Sequence, residues 1–133
     1  MRHFLSILLL MLSLAVPARA DEAAIRDVIS SQIEAFQADD VATAFTYASP
    51  TIQGIFGTPE NFGLMVRQGY PMVWRPAEVR FLSLETVDGR LWQVVMMRDQ
   101  AGKVHVLEYK MINGPQGWKI DAVRFRKDGE GLV

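Results

Sequence analysis

Residues 78–126 have the sequence EVRFLSLETVDGRLWQVVMMRDQAGKVHVLEYKMINGPQGWKIDAVRFR and carry the clearest structural pattern of the chain. Four segments within them show the two-residue period of β-strands. The connections between the segments are short and each contains glycine, the first as the Asp-Gly pair of a tight hairpin. Short connections join antiparallel neighbours, so the pattern predicts a four-stranded meander. The predicted strands are Glu78–Thr86, Arg90–Arg98, Lys103–Ile112 and Gly117–Arg126.

The predicted sheet is apolar on both faces. In the third strand the neighbours Val106 and Leu107 point to opposite faces, and both are large and apolar. An antiparallel sheet with one face in water carries apolar groups mainly on the other face. We therefore expect helices to cover one face, and a partner or a cavity to cover the other. The apolar phase slips within the last strand, which predicts a β-bulge near Asp121-Ala122.

Two helices are predicted at the start of the domain. From Asp21 the apolar residues recur at helical spacing, which predicts an amphipathic helix of about fifteen residues. Its buried stripe comprises Ile25, Val28, Ile29, Ile33 and Phe36, with Gln32 completing it. Asp39-Asp40 then supplies the N-cap of a second, shorter helix from Val41 to Ala48, which ends before Pro50.

The segment between these helices and the sheet, residues 51–76, is rich in Gly and Pro yet carries many large apolar side chains. A disordered linker would not carry them, so we expect this segment to pack. Thr58 and Pro59 predict the cap and first residue of a third helix that ends near Gly69. The prolines at 71 and 76 predict an extended, non-helical piece between them.

Helices followed by a curved antiparallel meander predict an α+β fold with segregated elements. With 133 residues the chain is too short for two sizeable domains. We therefore expect one domain over residues 21–127 and a polar tail over residues 128–133.

The first twenty residues have the layout of a secretory signal peptide. A short basic start precedes an apolar run from Phe4 to Val16, and Ala18-Arg19-Ala20 places small residues at the −3 and −1 positions of a cleavage site. The apolar run is too short to span a hydrocarbon core, and Pro17 follows it. We expect cleavage after Ala20 and export, to the periplasm in a Gram-negative bacterium, with no membrane span in the mature chain.

The composition excludes several kinds of site. The formal net charge is −1, so no basic excess exists to neutralise phosphates and we expect no nucleic-acid partner. The chain contains no cysteine, which excludes disulfides, thiolate nucleophiles and cysteine-ligated metals. Beyond the leader it has one histidine and scattered acidic residues, so we expect no metal site and no cofactor.

The order of elements, with a final Gly-Trp-Lys-Ile, resembles the nuclear transport factor 2-like (cystatin-like) superfamily. Within it, residues 36–40, 48–53, 56–59 and 65–76 resemble a bacterial family known as domain of unknown function 4864, most specifically through Gly-Tyr-Pro-Met-Val-Trp-Arg-Pro at 69–76. The likeness covers nearly all of residues 22–126. It implies a cone with a pocket between the long helix and a concave sheet. Superfamily members include isomerases, cyclases, ligand-binding proteins and dimerisation modules, so the resemblance implies a fold rather than a function.

Aromatic side chains are the main candidates for lining such a pocket, because they suit a flat or apolar ligand. They are also ordinary core residues, so the sequence leaves both roles open. The candidate ligand-binding residues are Tyr47, Phe56, Tyr70, Trp74, Trp92, His105 and Tyr109.

His105 is the candidate catalytic base, since its unperturbed pKa lies near neutrality. Tyr109 lies on the same face of the predicted strand, and Asp121 on the neighbouring strand could approach His105 at the bulge. Such a group could abstract a proton next to a carbonyl. The alternative is a hydrogen-bonded strand histidine without a catalytic role.

Three functions remain open from the sequence. The first, which we favour, is an exported domain that binds a small apolar or aromatic ligand without transforming it. The second is a dimeric interaction module whose outer sheet face meets a second copy or another exported protein. The third is a cofactor-free isomerase, dehydratase or cyclase that uses His105 with Asp121 or Tyr109.

Overall fold

The computed structural model describes residues 17–127, with side chains from Asp21 onward. The apolar run of the predicted leader and the predicted polar tail lie outside the described residues. Within residues 17–127 five helices precede four strands, which establishes the α+β class with helices first and sheet second. The helices are α1 Pro17–Gln37, α2 Val41–Thr46, α3 Pro50–Phe56, α4 Pro59–Gly69 and α5 Pro71–Trp74. The strands are β1 Glu78–Val87, β2 Arg90–Arg98, β3 Val104–Gly114 and β4 Gly117–Phe125.

Both predicted N-terminal helices are present, although α2 ends at Thr46 and not at Ala48. The predicted stripe of α1 is buried except for Val28, which is partly buried, and Ile25, Ile29 and Phe36 are fully enclosed. Helix α1 begins before Asp21, at Pro17, because proline is tolerated in a first helical turn. Asp40 caps α2 by accepting a hydrogen bond from the Thr43 backbone N–H at 3.1 Å. Hydrogen bonds from Thr43 lower the pKa of the Asp40 carboxyl. No helix in the described part of the chain is long and apolar enough to cross a membrane.

The segment between α2 and the sheet is more helical than the sequence indicates. Helix α4 has the predicted bounds, and the Thr58 hydroxyl caps it by accepting from the Asn61 N–H at 3.2 Å. Helix α3 was not predicted, and the prediction of an extended piece after Pro71 was wrong. In both places proline occupies the first helical turn, where its missing N–H costs nothing and its fixed φ suits a helix. Proline therefore starts these helices instead of preventing them.

The four strands form one antiparallel sheet in the order β1-β2-β3-β4, as predicted. The bulge predicted near Asp121 is confirmed. Lys110 pairs with Ala122 and Met111 pairs with Ile120, so Asp121 is an extra residue in β4. A second irregularity, in β1, follows Phe81 and has no counterpart in the sequence prediction.

The sheet's inner face packs against the helices and forms the core. Its central buried side chains are Val95, Met97, Leu107, Tyr109 and Met111. Two backbone hydrogen bonds tie the segment between α2 and α3 to β4: Ser49 N donates to Ile120 O at 2.8 Å, and Ile120 N donates to Tyr47 O at 2.9 Å. The last strand is thus fixed to the helical layer along its free edge.

The outer face, opposite the helices, is covered by charged side chains of the chain itself. The Arg124 guanidinium lies 3.8 Å from the centre of the Trp92 ring, and its Nε donates to Glu108 Oε1 at 3.0 Å. Arg126, which directly follows β4, donates to Glu108 at 3.0 Å and to Glu85 on the first strand at 2.6 Å.

This cover changes one expectation from the sequence. Trp92, Val94 and Val106 on the outer face are buried within the single chain, with relative exposures of 9%, 1% and 9%. The Arg124 side chain covers the Trp92 ring, which is a common use of long basic residues. Trp92, Val94 and Val106 are therefore buried without a partner chain, whereas Val104 on the same face is 46% exposed.

Candidate functional site

A cavity of about 250 Å³ lies between the helical layer and the β3–β4 side of the inner face. Its wall is almost entirely apolar and draws on α1, α3, α4, α5 and the two last strands. The more exposed lining residues, such as Ile52, Phe56 and Met65, form its mouth, and the fully buried ones form its floor. The lining side chains are Gln32, Phe36, Ala48, Ile52, Phe56, Phe62, Met65, Val66, Tyr70, Val73, Tyr109, Ile120, Ala122 and Val123.

The bulge in β4 and the cap of α3 together place the helix that borders the mouth. Because Asp121 is the extra residue of the bulge, its side chain can turn toward α3. The buried Ser49 hydroxyl donates to Asp121 Oδ1 at 2.7 Å and accepts from the Ile52 N–H at 3.2 Å. Lys110 Nζ lies 3.7 Å from the other oxygen of Asp121. Asp121 therefore connects the sheet to α3.

Three polar side chains contribute to the wall: Gln32, Tyr70 and Tyr109. The Gln32 amide donates to Ala44 O at 3.2 Å, and the Tyr70 hydroxyl donates to Val123 O at 3.2 Å. The Tyr109 hydroxyl is buried and has no hydrogen-bond partner among the described residues. Burial, and secondarily the nearby Tyr70, raises the pKa of Tyr109 well above its ordinary value. The Tyr109 hydroxyl is therefore neutral, fully buried and without a hydrogen-bond partner in the described part of the chain.

The candidate ligand-binding residues divide between the cavity and the rest of the molecule. Phe56, Tyr70 and Tyr109 line the cavity. Of the others, Trp92 lies on the outer face beneath Arg124, and Tyr47 ends α2 with its backbone bonded to β4. Trp74 and His105 are also outside the lining. The tyrosines and the phenylalanine come together because α3, α4 and β3 converge there.

His105 has a carboxylate partner, but it is Asp99 and not Asp121. His105 Nε2 lies 2.8 Å from Asp99 Oδ2, and both side chains are mostly buried. Chiefly this hydrogen bond, with N–H donors from Lys103 and Ala101, lowers the pKa of the Asp99 carboxyl.

The strand register keeps Asp121 away from His105. Asp121 lies opposite the step between Lys110 and Met111, about five residues or roughly 17 Å along β3 from His105. The structure therefore does not assemble the expected group of His105 with Asp121. Tyr109 remains on the cavity floor without His105 beside it in the lining. Within residues 17–127 no group of three His, Asp or Glu side chains is placed to hold a metal ion.

The sequence profile of one protein family, Domain of unknown function (DUF4864), matches residues 18–131. The chain belongs to this family. Comparison with curated proteins and with solved structures finds no similar protein. The DUF4864 membership agrees with the resemblance carried by residues 65–76, and it assigns no activity.

Trp74 and Arg75, at the end of α5 and directly after it, contact the end of α1. The Trp74 ring packs on Phe36 with ring centres 5.4 Å apart, and the Arg75 guanidinium lies 4.9 Å from the centre of the Trp74 ring. Arg75 also donates to Phe36 O at 2.6 Å and pairs with Asp39, which has a positive φ of 57°. A cation at a helix C-terminus complements the helix dipole. Trp74 and Arg75 therefore stabilise the turn between α1 and α2 and do not line the cavity.

Most residues that line the cavity were not among the candidate ligand-binding residues taken from the sequence. Phe62, Val66, Val73 and Ile120 are apolar residues at ordinary core positions, and nothing local separates a core residue from a lining residue. Gln32 is the exception, because a glutamine within the apolar stripe of α1 is a polar group at a buried position. That irregularity marks the side of α1 that faces the cavity.

Proposed function

We propose that this chain binds a small, largely apolar molecule in the cavity and does not transform it. The observation that carries the proposal is a cavity of about 250 Å³ with an almost wholly apolar wall. Protein interiors are normally packed with few voids larger than a water molecule. Such a cavity lowers stability, so its presence in a small domain favours a binding role.

The size and lining of the cavity limit the ligand. A dry cavity of about 150 Å³ accommodates benzene, so the volume here suits roughly ten non-hydrogen atoms. Aromatic rings at the wall, including Phe56 and Phe62, 5.7 Å apart between ring centres, provide flat apolar contacts. Met65 at the mouth can adapt its side chain to different shapes.

Binding of toluene, a neutral ring of suitable size, tests the proposal. A ligand that binds only the folded state raises the thermal midpoint in a concentration-dependent way. We expect toluene to raise the midpoint of the wild-type chain. Val66→Phe should abolish that rise, because Val66 lines the cavity and the larger ring fills it. The measurement is differential scanning calorimetry over a toluene series.

Leu64→Phe is the matched control. Leu64 lies on the same helix, α4, is 54% exposed, and is outside the lining. The same chemical change at this position should leave the toluene effect intact. If toluene leaves the wild-type midpoint unchanged, or raises it equally in Val66→Phe, the cavity is not a binding site and the proposal is wrong.

We also propose that the chain is exported with residues 1–20 as a cleaved signal peptide, and that its cone is that of the nuclear transport factor 2-like superfamily. The basic start, apolar run and Ala18-Arg19-Ala20 support the first part, and helices followed by a meander support the second. Mass spectrometry of the exported protein should find Asp21 as the first residue. Intact Met1 on a cytoplasmic protein would contradict export, and an experimental structure unlike superfamily members would contradict the cone.

A further inference from the structure

We propose that the natural ligand is an uncharged molecule of about one ring in size that donates a hydrogen bond to the side-chain oxygen of Gln32, Oε1. Phenols, small aromatic alcohols and heteroaromatic rings with an N–H group belong to this class. The inference rests on the proposed binding function and names the chemistry that the cavity selects.

Gln32 is a polar residue in the apolar wall. It lies within the buried stripe of α1, lines the cavity and is only 3% exposed. Its amide nitrogen donates to Ala44 O at 3.2 Å. A backbone carbonyl can only accept, so this contact fixes which end of the amide is nitrogen and which is oxygen. The contact with α2 therefore occupies the nitrogen of the Gln32 amide and leaves the oxygen for another partner.

The Gln32 oxygen has no donor within the described part of the chain, yet it is not sealed. No hydrogen bond between described residues is donated to Oε1. The side-chain atoms that are both unpartnered and enclosed there are Arg26 Nε, Gln93 Oε1 and the Tyr109 hydroxyl, so Gln32 Oε1 keeps accessible surface. Because Gln32 is a nearly buried lining residue, that surface opens onto the cavity. Buried polar groups are nearly always hydrogen-bonded, and a ligand donor would supply the missing bond.

The two tyrosines of the wall leave this requirement unchanged. The Tyr70 hydroxyl donates its single proton to Val123 O at 3.2 Å, so only its acceptor lone pairs remain. The Tyr109 hydroxyl is enclosed and does not reach a ligand. A ligand that can only accept would leave Gln32 Oε1 without a partner, which costs free energy once water is displaced. A ligand with a donor satisfies that oxygen, so the cavity favours donors.

The same wall disfavours charged donors. None of the lining side chains carries a charge, and burying a charge without a partner costs far more than burying a neutral polar group. A protonated amine could donate to Gln32 Oε1 but would lose its hydration without a counter-ion. The structure thus points to a hydroxyl or a neutral N–H group rather than to an ammonium group.

Phenol and toluene test the inference as a pair, because they have the same number of non-hydrogen atoms and differ in a hydroxyl against a methyl group. Dissociation constants of both would be measured by titration calorimetry or NMR titration for the wild-type chain and Gln32→Met. Methionine is similar in length to glutamine but has no amide oxygen. We expect Gln32→Met to weaken phenol about five- to tenfold, and to leave toluene unchanged or bound more tightly. Comparing each ligand between the two proteins cancels its free energy of transfer from water.

Gln100→Met is the matched control. The Gln100 amide also donates to a backbone carbonyl, Arg75 O at 3.1 Å, but Gln100 lies outside the lining. This variant should leave both constants unchanged. If Gln32→Met changes the two ligands equally, or wild type binds toluene but not phenol, this inference is wrong while the binding function stands. If wild type binds neither ligand, the proposed function and the inference both fall.

A measurement on the wild-type chain decides the matter if Gln32→Met does not fold. A hydrogen bond to Gln32 Oε1 polarises the amide and moves the resonance of its nitrogen downfield. We expect saturating phenol to produce a larger downfield shift of this side-chain resonance than saturating toluene. Equal shifts by the two ligands would overturn the inference.

Benzyl alcohol and benzylamine separate neutral from charged donors, because they have the same number of non-hydrogen atoms and the amine is protonated at neutral pH. We expect benzylamine to bind at least tenfold more weakly than benzyl alcohol. Equal or tighter binding of benzylamine would overturn the restriction to uncharged ligands.

Discussion

The two faces of the sheet bury apolar side chains in different ways. On the outer face, Arg124 covers the Trp92 ring, and Arg124 and Arg126 form ion pairs with Glu85 and Glu108. On the inner face, five helices cover the sheet yet leave a cavity of about 250 Å³ and a buried hydroxyl without a partner. The charged side chains of the chain itself cover part of the outer face, whereas the helix-covered inner face contains the open space. The comparison teaches that a candidate site is found where packing and hydrogen bonding are incomplete.

The largest expected effect is on the outer face. Trp92→Ala should lower the free energy of unfolding by about 3 to 4 kcal/mol, because it removes a buried ring and leaves a cavity beneath Arg124. Urea denaturation measures the change. Val104→Ala, a 46% exposed position on the same strand face as Val106, should cost less than about 0.5 kcal/mol. Similar small losses for both variants would show that the outer face is not a packed layer.

The next largest effect on stability is expected for the ion pairs that Arg126 forms on the outer face. Arg126→Met should lower the free energy of unfolding by about 2 kcal/mol, since it removes two partly buried ion pairs. Removing one partner of a fully buried ion pair would lower the free energy of unfolding further. The control is Arg80→Met, which removes an exposed pair with Glu78 and should cost about 0.5 kcal/mol or less. In a double-mutant cycle, Arg126→Met with Glu108→Leu should cost less than the sum of the single changes. Strict additivity would contradict coupling between Arg126 and Glu108.

Two tyrosines on the inner side of the sheet differ in whether their hydroxyl groups have a hydrogen-bond partner in the described chain. Tyr109→Phe should raise the free energy of unfolding by about 1 kcal/mol, because it removes a buried hydroxyl that has no partner in the described chain. Tyr70→Phe should lower it by about 1 kcal/mol, because that hydroxyl donates to Val123 O. Both are measured by urea denaturation without ligand. A loss of stability in Tyr109→Phe equal to that in Tyr70→Phe would show that the hydroxyl is satisfied within the protein.

The smallest effect concerns pH and the pair of Asp99 with His105. The pKa of Asp99 is lowered in the folded chain, so its contribution to stability is present above the unfolded value of about 3.9 and is lost as pH falls through the folded pKa. Asp99→Asn should therefore be less stable than wild type at neutral pH, with the difference closing in acid. Chemical denaturation from pH 7 to pH 2 measures this.

Asp27→Asn, an exposed change on α1, is the control for Asp99 and should alter stability little. A difference between wild type and Asp99→Asn that grows as pH falls would have the wrong sign and would contradict the role of Asp99.

The prolines and the His105–Asp99 pair show how much of the structure could be predicted from the sequence. Strand bounds, the stripe of α1 and the bulge at Asp121 were predictable, because they depend on side-chain period along a continuous segment. Helices α3 and α5 were not, because the same proline that ends one element can begin the next. The pairing of His105 with Asp99 depends on how the β2–β3 turn folds back, which the alternation of side chains does not specify.

The sequence by itself determined the α+β class, the meander and the buried stripe of α1, since each follows from local periodicity and short connections. Only the tertiary structure decided that Phe56, Tyr70 and Tyr109 line one cavity, whereas Trp74 packs on Phe36 and Trp92 lies on the outer face beneath Arg124. It also decided that Tyr109 has no partner in the described chain while the charges of the outer face have theirs. These outcomes depend on which distant side chains meet in three dimensions, and a one-dimensional pattern carries no information about that.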